Sequence, residues 1–286
     1  MSIGIANNVS KTRFPEYRSL TGRARYCLDL DGNQTGGSAG IDYVLKSAGG
    51  IAPNSGTLSA VIKSDNLTVH DVIFSSAVSS GTNNVDGVSF SVGGGNLQFS
   101  ATIDSKSNFV GVANSDAISA GTWYHLVGTW AADGSGSLAT EFWINGAKQS
   151  GSFSDTNVNF RTAGVCVGLD DTGAGERRWG GRIYDMALWE IKLTESQIAA
   201  LYNNGRPRSP NCIGRSNASG SFGGNYSQSD LLLNLRISNE FGATPSSVQP
   251  SAAIDNKAYG RISTGNYMTT NLCEAEDLVK DAMYTV

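Results

Sequence analysis

The chain has 286 residues and a mass of 30.0 kDa, which suits one β-sandwich with additional segments better than two large domains. Charged residues make up only 16% of the chain and Gly contributes 35 residues, a composition that argues against a helical bundle and favours many short strands joined by tight turns. The net charge of −4 gives no general attraction for nucleic acid, and no apolar run reaches the ~18 residues of a membrane span.

The first 25 residues lack apolar periodicity and are predicted to form an extended arm. One acidic residue, Glu16, accompanies five basic ones, so the arm has a net charge of +4 and leaves −8 for the remainder of the chain. The basic residues of the arm are Lys11, Arg13, Arg18, Arg23 and Arg25. This asymmetry indicates contact with an acidic neighbour such as another copy of the chain, with a merely solvated terminus as the alternative. The arm has no apolar secretion signal, which predicts assembly in a cytoplasm.

Short segments in which apolar and polar residues alternate follow the arm and predict strands. In the first half they are Tyr26–Gly32, Ile41–Val44, Leu58–Lys63, Val72–Phe74, Val88–Val92 and Leu97–Ala101. The last two flank the turn sequence Gly93-Gly94-Gly95-Asn96 and therefore predict a hairpin.

The central region predicts two more strands, Trp123–Trp130 and Leu138–Ile144. In the second, Leu138, Thr140, Phe142 and Ile144 share one face, and Ala139, Glu141 and Trp143 share the other. Asn145-Gly146 then supplies the two residues with positive φ that a type I′ hairpin turn requires. Further alternation predicts strands around Val165–Leu169 and Ile183–Trp189.

One short helix is predicted after Thr194, because Thr194 and Gln197 have the spacing of a capping box. Gly205 and Pro207 end it. In the C-terminal region we expect loops at 207–227 and 242–258, a buried strand Leu231–Ile237, and an acidic helix Glu274–Met283.

Residues 118–205 resemble the laminin-G-like, concanavalin A-like jelly-roll superfamily that includes pentraxins and many lectins. The resemblance rests on four segments in the expected order, namely Ile118–Leu126, Phe142–Gly146, Gly180–Trp189 and Leu193–Tyr202. It implies an all-β, antiparallel two-sheet jelly-roll sandwich with one short capping helix. The corresponding regions are an arm at 1–25, a jelly roll at 26–206, and a C-terminal extension at 207–286 with a closing strand near 230–237.

Within such a sandwich we expect Trp123, Trp130, Phe142 and Trp189 to be core aromatics. Trp179 stands in a polar, Gly-rich segment and is predicted to be exposed. Trp179, Tyr226 and Tyr267 are therefore the candidate glycan contacts.

Calcium binding is implied by the resemblance, because laminin-G and pentraxin relatives often bind this ion. Asp170 and Asp171 are the best candidate ligands, followed by Asp133 and Asp31, although turn-forming aspartates are the alternative. The cysteines Cys27, Cys166, Cys212 and Cys273 are too far apart for a zinc cluster, and their spacing leaves disulfides open.

Catalysis is not expected, since the sequence contains no E-x-D-x-E strand pattern of the glucanases in this superfamily and no nucleophile elbow. Glu141 is interpreted as a solvated residue on the outer face of its strand. His125, one of two histidines, is interpreted as a structural residue that pairs with the backbone or with a neighbouring strand.

An extracellular type of fold without an export signal, preceded by a basic arm, favours a phage virion structural protein. We therefore predict a capsid decoration or a tail or fibre component, which contacts other copies of itself, virion capsid or tail proteins, and cell-surface glycans. A carbohydrate-binding module or lectin is the alternative, and a glycoside hydrolase or lyase is a third.

Overall fold

The computed structural model describes part of the chain. The described residues are 27–31, 43–46, 53–65, 71–78, 86–93, 96–103, 106–113, 119–132, 138–150, 165–170, 177–205, 207, 230–237, 254–256, 269–271 and 278–279.

Two sheets of nine described strands each form the architecture. Sheet one contains β1 (Cys27–Asp31), β3 (Ser55–Ser64), β8 (Trp123–Ala132), β9 (Leu138–Ile144), β10 (Ala147–Lys148), β14 (Gly180–Trp189), β15 (Leu231–Ile237), β16 (Ile254–Asn256) and β18 (Leu278–Val279). Sheet two contains β2 (Tyr43–Lys46), β4 (Asp71–Val78), β5 (Asp86–Gly93), β6 (Asn96–Ile103), β7 (Lys106–Ala113), β11 (Val165–Val167), β12 (Leu169–Asp170), β13 (Arg177–Arg178) and β17 (Thr269–Asn271).

The strand order of sheet one is β10-β9-β8-β3-β14-β1-β18, and β15 pairs with the second half of β14. Sheet two has the order β17-β2-β11-β4-β5-β6-β7, with β13 pairing in parallel with β4 at Arg178 and Val72. All other described pairings are antiparallel, so the predicted all-β sandwich is confirmed.

The core between the sheets is built from every second residue of the long strands, as period-two alternation requires. The predicted inward face of β9 is confirmed, because Leu138, Phe142 and Ile144 belong to this core. Aromatic rings fill its centre, with centroid separations of 5.5 Å between Phe90 and Phe99 and 6.2 Å between Phe99 and Trp130. Such tilted contacts add to the burial energy of the rings.

The sheets pack closely against one another at Gly128 of β8. A Cβ at this position would lie 2.2 Å from the ring of Phe99, so no larger side chain fits without displacing the ring. The absence of a side chain at Gly128 therefore sets where β6 packs against β8.

Helix α1 (Glu195–Tyr202) covers the middle of the outer face of sheet one. The predicted capping box at Thr194 and Gln197 is present, and the left-handed residue that ends the helix is Asn203, with a φ of 48°. Ile198 and Leu201 of α1 pack on a second apolar cluster. Its other members are Val127, Trp143, Ala187, Trp189, Leu193 and Leu231. No described helix is long and apolar enough to cross a bilayer.

The structure corrects several predictions made from the sequence. Trp189 is buried as predicted but under α1, outside the inter-sheet core, and Trp123 is only half-buried.

Within the predicted 242–258 loop, β16 pairs with β15. Within the predicted C-terminal helix, Leu278 and Val279 pair with β1, which shows that a neighbouring strand overrides weak helical periodicity. The predicted strand Leu231–Ile237 is confirmed as β15.

Candidate binding face on sheet one

The outer face of sheet one has a row of three polar and aromatic side chains beyond the end of helix α1. Trp123, Lys63 and Arg182 lie directly opposite one another on β8, β3 and β14. Their chain neighbours Tyr124, Ile62 and Ile183 pack in the inter-sheet core, so all three side chains of the row face outward. Each is half-buried. We call Trp123, Lys63 and Arg182 the outer row.

Trp123 is positioned by the exposed turn that precedes β8. The backbone N–H of Ser119 donates to the Tyr124 hydroxyl at 2.8 Å, and the N–H of Gly121 donates to the Ser64 carbonyl at 2.7 Å. Because Tyr124 packs against the core, these contacts anchor the turn to both β8 and β3. The Lys63 ammonium lies 6.0 Å from the centroid of the Trp123 ring, within the range of a cation–π contact.

Arg182 reaches the outer row because β14 approaches β3 unusually closely at the preceding residue. Gly181 has a φ of 140°, and a Cβ there would lie 2.3 Å from the Lys63 carbonyl oxygen. Only glycine meets both conditions without strain. The register that places Arg182 beside Lys63 therefore depends on Gly181.

His125 separates the outer row from the part of the face that α1 covers. Its ring is stacked on Tyr202 at a centroid distance of 6.1 Å and an interplanar angle of 8°, and its Nε2 lies 2.9 Å from Ser59 Oγ. The His125 backbone N–H donates to Asn145 Oδ1 at 2.9 Å. The predicted pairing of the His125 side chain with the backbone or a neighbouring strand is confirmed, and the partner is Ser59 of β3.

The buried position of His125 determines its protonation. Desolvation lowers the pKa of His125 from 6.5 to about 4, so the imidazole is neutral at pH 7. A Ser–His hydrogen bond also occurs in hydrolytic centres. Here, however, only 6% of Ser59 and 3% of His125 is exposed, and His125 Nδ1 has no hydrogen-bond partner among the described residues.

Glu141 lies on the same outer face but is held in two ion pairs. Its carboxylate oxygens are 2.8 Å from Lys148 Nζ and 3.2 Å from Lys192 Nζ. Partial burial opposes ionisation of Glu141, but the hydrogen bonds and charges of the two lysines outweigh it and lower the pKa. Glu141 is thus an ionised, paired carboxylate, which suits a structural role better than that of a general acid.

Trp179, predicted to be an exposed glycan contact, is fully buried, and that prediction is wrong. The residue stands where the chain passes from β13 in sheet two to β14 in sheet one, and its N–H donates to the Gly168 carbonyl at 2.9 Å. At this crossing the indole fills the end of the inter-sheet core. Polar residues nearby in the sequence gave the misleading signal of a loop.

The other predicted site residues are partly outside the described chain. Tyr226 and Tyr267, Asp171, and the arm residues Lys11, Arg13, Arg18, Arg23 and Arg25 lie outside it. Asp170 ends β12 opposite Arg177, and Asp31 ends β1 opposite Gly180.

Two further aspartates, Asp71 and Asp65, lie at the end of β14 where Gly180 begins the strand. Asp71 is 2% exposed, and burial raises its pKa to about 6 despite a hydrogen bond from the Gly180 backbone. Asp65 is exposed and donates its N–H to the Gly180 carbonyl. Among the described residues, no three His, Cys, Asp or Glu side chains converge as cation ligands. Calcium binding at Asp170 and Asp171 stays a prediction.

The outer row was not found from the sequence as a site. Trp123 is four residues from Val127 and therefore shares its face of the strand, whereas Trp130, seven residues away, is on the other face. This alternation is the one signal in the sequence that Trp123 faces away from the core. The approach of Lys63 to Arg182 depends on the β3–β14 register, which the sequence does not reveal.

Solved structures that are similar to this chain include the following three. A heptameric SAP-like pentraxin from Limulus polyphemus is 21% identical, with 65% of this chain and 86% of that chain covered and a TM-score of 0.46. A Bacteroides ovatus protein named as a candidate carbohydrate-binding protein is 18% identical, with coverage of 87% and 58% and a TM-score of 0.50. The Ruminococcus gnavus IT-sialidase CBM40 bound to α2,3-sialyllactose is 14% identical, with coverage of 53% and 84% and a TM-score of 0.40.

Comparison with curated protein sequences finds no match. The family model of the concanavalin A-like lectin/glucanases superfamily matches residues 36–199, more than half of the chain. That span contains most strands of both sheets, the first five residues of helix α1 and all three residues of the outer row. The chain belongs to the concanavalin A-like lectin/glucanases superfamily.

Proposed function

We propose that this chain is a non-catalytic, lectin-like carbohydrate-binding domain and that the outer row is its binding surface. The observation that carries the proposal is the half-buried Trp123 indole, which lies beside Lys63 on the part of sheet one that α1 leaves uncovered. An indole fixed in this way offers an apolar surface for the C–H face of a pyranose, and neighbouring polar side chains fix the orientation of the sugar. Membership of a superfamily that includes lectins supports the same function.

The non-catalytic part of the proposal rests on the carboxylates. The sequence has no E-x-D-x-E strand pattern, and Glu141 is committed to two lysines. A retaining glycosidase needs two carboxyl groups about 5 Å apart around the scissile bond. We expect no release of reducing ends from laminarin, carrageenan or alginate, and measurable turnover on any of them would overturn this part.

Binding is tested with a glycan array, probed once with calcium and once with EDTA. The bound sugars are then titrated calorimetrically against wild type, Trp123→Phe and Trp123→Ala. We expect Trp123→Ala to weaken binding about 10-fold, since loss of an aromatic contact costs about 1 kcal/mol or more. Trp123→Phe should retain part of the affinity. Unchanged affinity in a folded Trp123→Ala variant would refute the site, and the absence of any bound glycan would refute the function.

A second candidate function, a phage virion structural protein, is favoured by one separate observation. The first 25 residues have five basic residues against one acidic residue, while the remainder of the chain is acidic. Such an arm suits an electrostatic contact with neighbouring subunits, either further copies of this chain or capsid or tail proteins. This role is compatible with glycan binding on the assembled particle.

Deletion of residues 1–25 tests the assembly role. We expect the truncated chain to lose particle association and to keep the circular dichroism spectrum and melting temperature of the sandwich. Normal incorporation of the truncated chain into particles would refute the role assigned to the arm. Replacement of the five basic residues by Gln is the matched variant that keeps the length of the arm.

A further inference from the structure

We propose that Asn204 is a site of spontaneous, non-enzymatic deamidation and that the fold protects Asn145 from the same reaction. These two residues form the Asn-Gly pairs of the chain, Asn145-Gly146 and Asn204-Gly205. Glycine has no side chain to hinder attack by its backbone nitrogen on the preceding side chain, which makes Asn-Gly the pair most prone to this reaction. The inference is independent of the binding function proposed above.

The reaction needs water as its only co-reactant. The Gly205 nitrogen attacks Cγ of Asn204 and forms a bond to it. The Cγ–Nδ2 bond breaks and ammonia leaves with the proton of the Gly205 N–H. Water then opens the cyclic imide, at Cγ to give aspartate or at the main-chain carbon to give isoaspartate. Either product adds one negative charge to a chain with a net charge of −4.

The backbone is similar at the two pairs, so the difference lies in what holds them. Asn145 and Gly146 have φ values of 52° and 75°, and Asn204 and Gly205 have φ values of 52° and 84°. Asn145 Oδ1 accepts from the backbone N–H of His125 at 2.9 Å, and the N–H of Asn145 donates to the His125 carbonyl at 2.8 Å. These bonds must break before Cγ of Asn145 can turn toward the Gly146 nitrogen.

Tyr202 of helix α1 covers the Asn145-Gly146 turn. A Cβ on Gly146 would lie 2.6 Å from Tyr202 Cδ1, so the tyrosine ring packs against the backbone of this glycine. The same ring stacks on His125, the residue that holds Asn145. The turn must therefore separate from both β8 and α1 before the imide can form there.

Asn204-Gly205 lies just beyond the end of α1. The preceding residue, Asn203, makes the capping hydrogen bond of the helix, from its N–H to the Ala199 carbonyl at 2.9 Å. Asn204 and Gly205 are both exposed, and a Cβ on Gly205 would be an ordinary 3.6 Å from the Tyr202 hydroxyl. Local fraying of the helix end is therefore enough to let the reaction proceed at Asn204.

The charge formed at Asn204 has an unfavourable position. The C-terminal end of a helix has a partial negative charge, and the last turn of α1 contains no basic residue to offset it. Asn204→Asp, which has the charge of one product, should lower the thermal midpoint by about 1–3 °C at low salt and by less at high salt. An unchanged midpoint at low salt would refute this consequence.

The experiment follows both asparagines in the folded chain and in the chain unfolded in guanidinium, each kept in mildly alkaline buffer. Samples taken at intervals are digested with pepsin at acidic pH, and mass spectrometry gives the modified fraction at each asparagine. Labelling by protein isoaspartyl methyltransferase distinguishes isoaspartate from aspartate. Asn204→Gly is the unreactive variant, because glycine readily adopts the left-handed backbone found at this position.

We expect Asn204 in the folded chain to react within about 3-fold of its rate in the unfolded chain, and Asn145 at least about 10-fold more slowly than Asn204. In the unfolded chain the two sites should react at similar rates. Asn204→Gly should remove the isoaspartate that first forms in the folded chain. Tyr202→Ala should raise the rate at Asn145, and the matched variant Tyr202→Phe, which keeps the ring, should not.

The rates in the wild-type chain decide the proposal even if a variant does not fold. Equal rates at the two asparagines of the folded chain, or a faster reaction at Asn145, would overturn it. Isoaspartate that forms at Asn204 only in the unfolded chain would also overturn it, because the turn after α1 would then be protected. An unchanged Asn145 rate in Tyr202→Ala, shown to be folded by thermal melting, would refute the shielding by the tyrosine.

Discussion

Acidification should destabilise the chain through His125, the buried residue that joins helix α1 to sheet one. The native pKa is lowered to about 4, whereas the unfolded side chain titrates near 6.5. Between these pH values the unfolded state binds the proton and the native state does not. The stability contributed by the neutral imidazole is therefore fully present above about pH 6.5 and is lost as the pH falls toward 4.

The magnitude follows from the two pKa values. Each tenfold difference in proton affinity is equivalent to ~1.4 kcal/mol, so the His125-linked loss amounts to about 3 kcal/mol by pH 4. The structure gives the physical reason, because a protonated ring would place a second N–H donor at Nδ1, which has no partner among the described residues. Tyr202, which stacks on the ring, has no carboxylate that could pair with the charge.

The assay is equilibrium unfolding in urea at pH 7, 6, 5 and 4, with wild type compared with His125→Gln. Glutamine can still form a hydrogen bond with Ser59 but does not titrate. We expect the variant to be less stable at pH 7 and the difference in unfolding free energy to shrink by about 3 kcal/mol by pH 4. Parallel stability curves for the two proteins would show that His125 is not the titrating group, and the reasoning would fail.

Three further predictions concern stability. Burial raises the pKa of Asp71 from 3.8 to about 6, so its pH-linked contribution to stability has the opposite sign to that of His125. This contribution is fully present below pH 3.8 and is lost as the pH rises through 6. Asp71→Asn should therefore gain about 2 kcal/mol in unfolding free energy relative to wild type between pH 4 and 7, and a pH-independent difference in urea unfolding would contradict this. Gly128→Ala should cost about 1–3 kcal/mol through the clash with Phe99, whereas an unchanged thermal midpoint would show that the ring moves freely. Thr194→Ala should cost about 1 kcal/mol by removing the helix cap, measured by the same melts, and Thr194→Ser, which keeps the hydroxyl, should not.

Local sequence rules predicted the structure well wherever a short segment determines its own geometry. Strand β9 begins and ends at the predicted residues, and the Asn145-Gly146 turn has φ values of 52° and 75° as a type I′ turn requires. The capping box at Thr194 was also predicted correctly, because the hydrogen bonds that start the helix are made within four consecutive residues.

The same rules failed where distant parts of the chain decide the outcome. β7 was not predicted, because its sequence Lys106–Ala113 mixes Ser, Asn and Gly with its apolar residues, and pairing with β6 makes it a strand. Trp179 was assigned to the surface from its neighbours in sequence, but the crossing between the sheets buries it. The outer row is the extreme case, because its members come from three strands whose register is set by pairing along β3.

How much of the outer face of sheet one is open to a ligand depends on where helix α1 ends. The chain runs from Leu193, whose N–H donates to Thr57 Oγ1, toward Tyr202, which covers His125. His125 and Trp123 are two residues apart on one strand and therefore adjacent on the same face. One more helical turn in that direction would bring side chains toward Trp123, but the left-handed Asn203 ends the helix first. Because α1 ends at Asn203, the helix does not extend over the outer row, and the residue that terminates it also shapes the proposed binding surface.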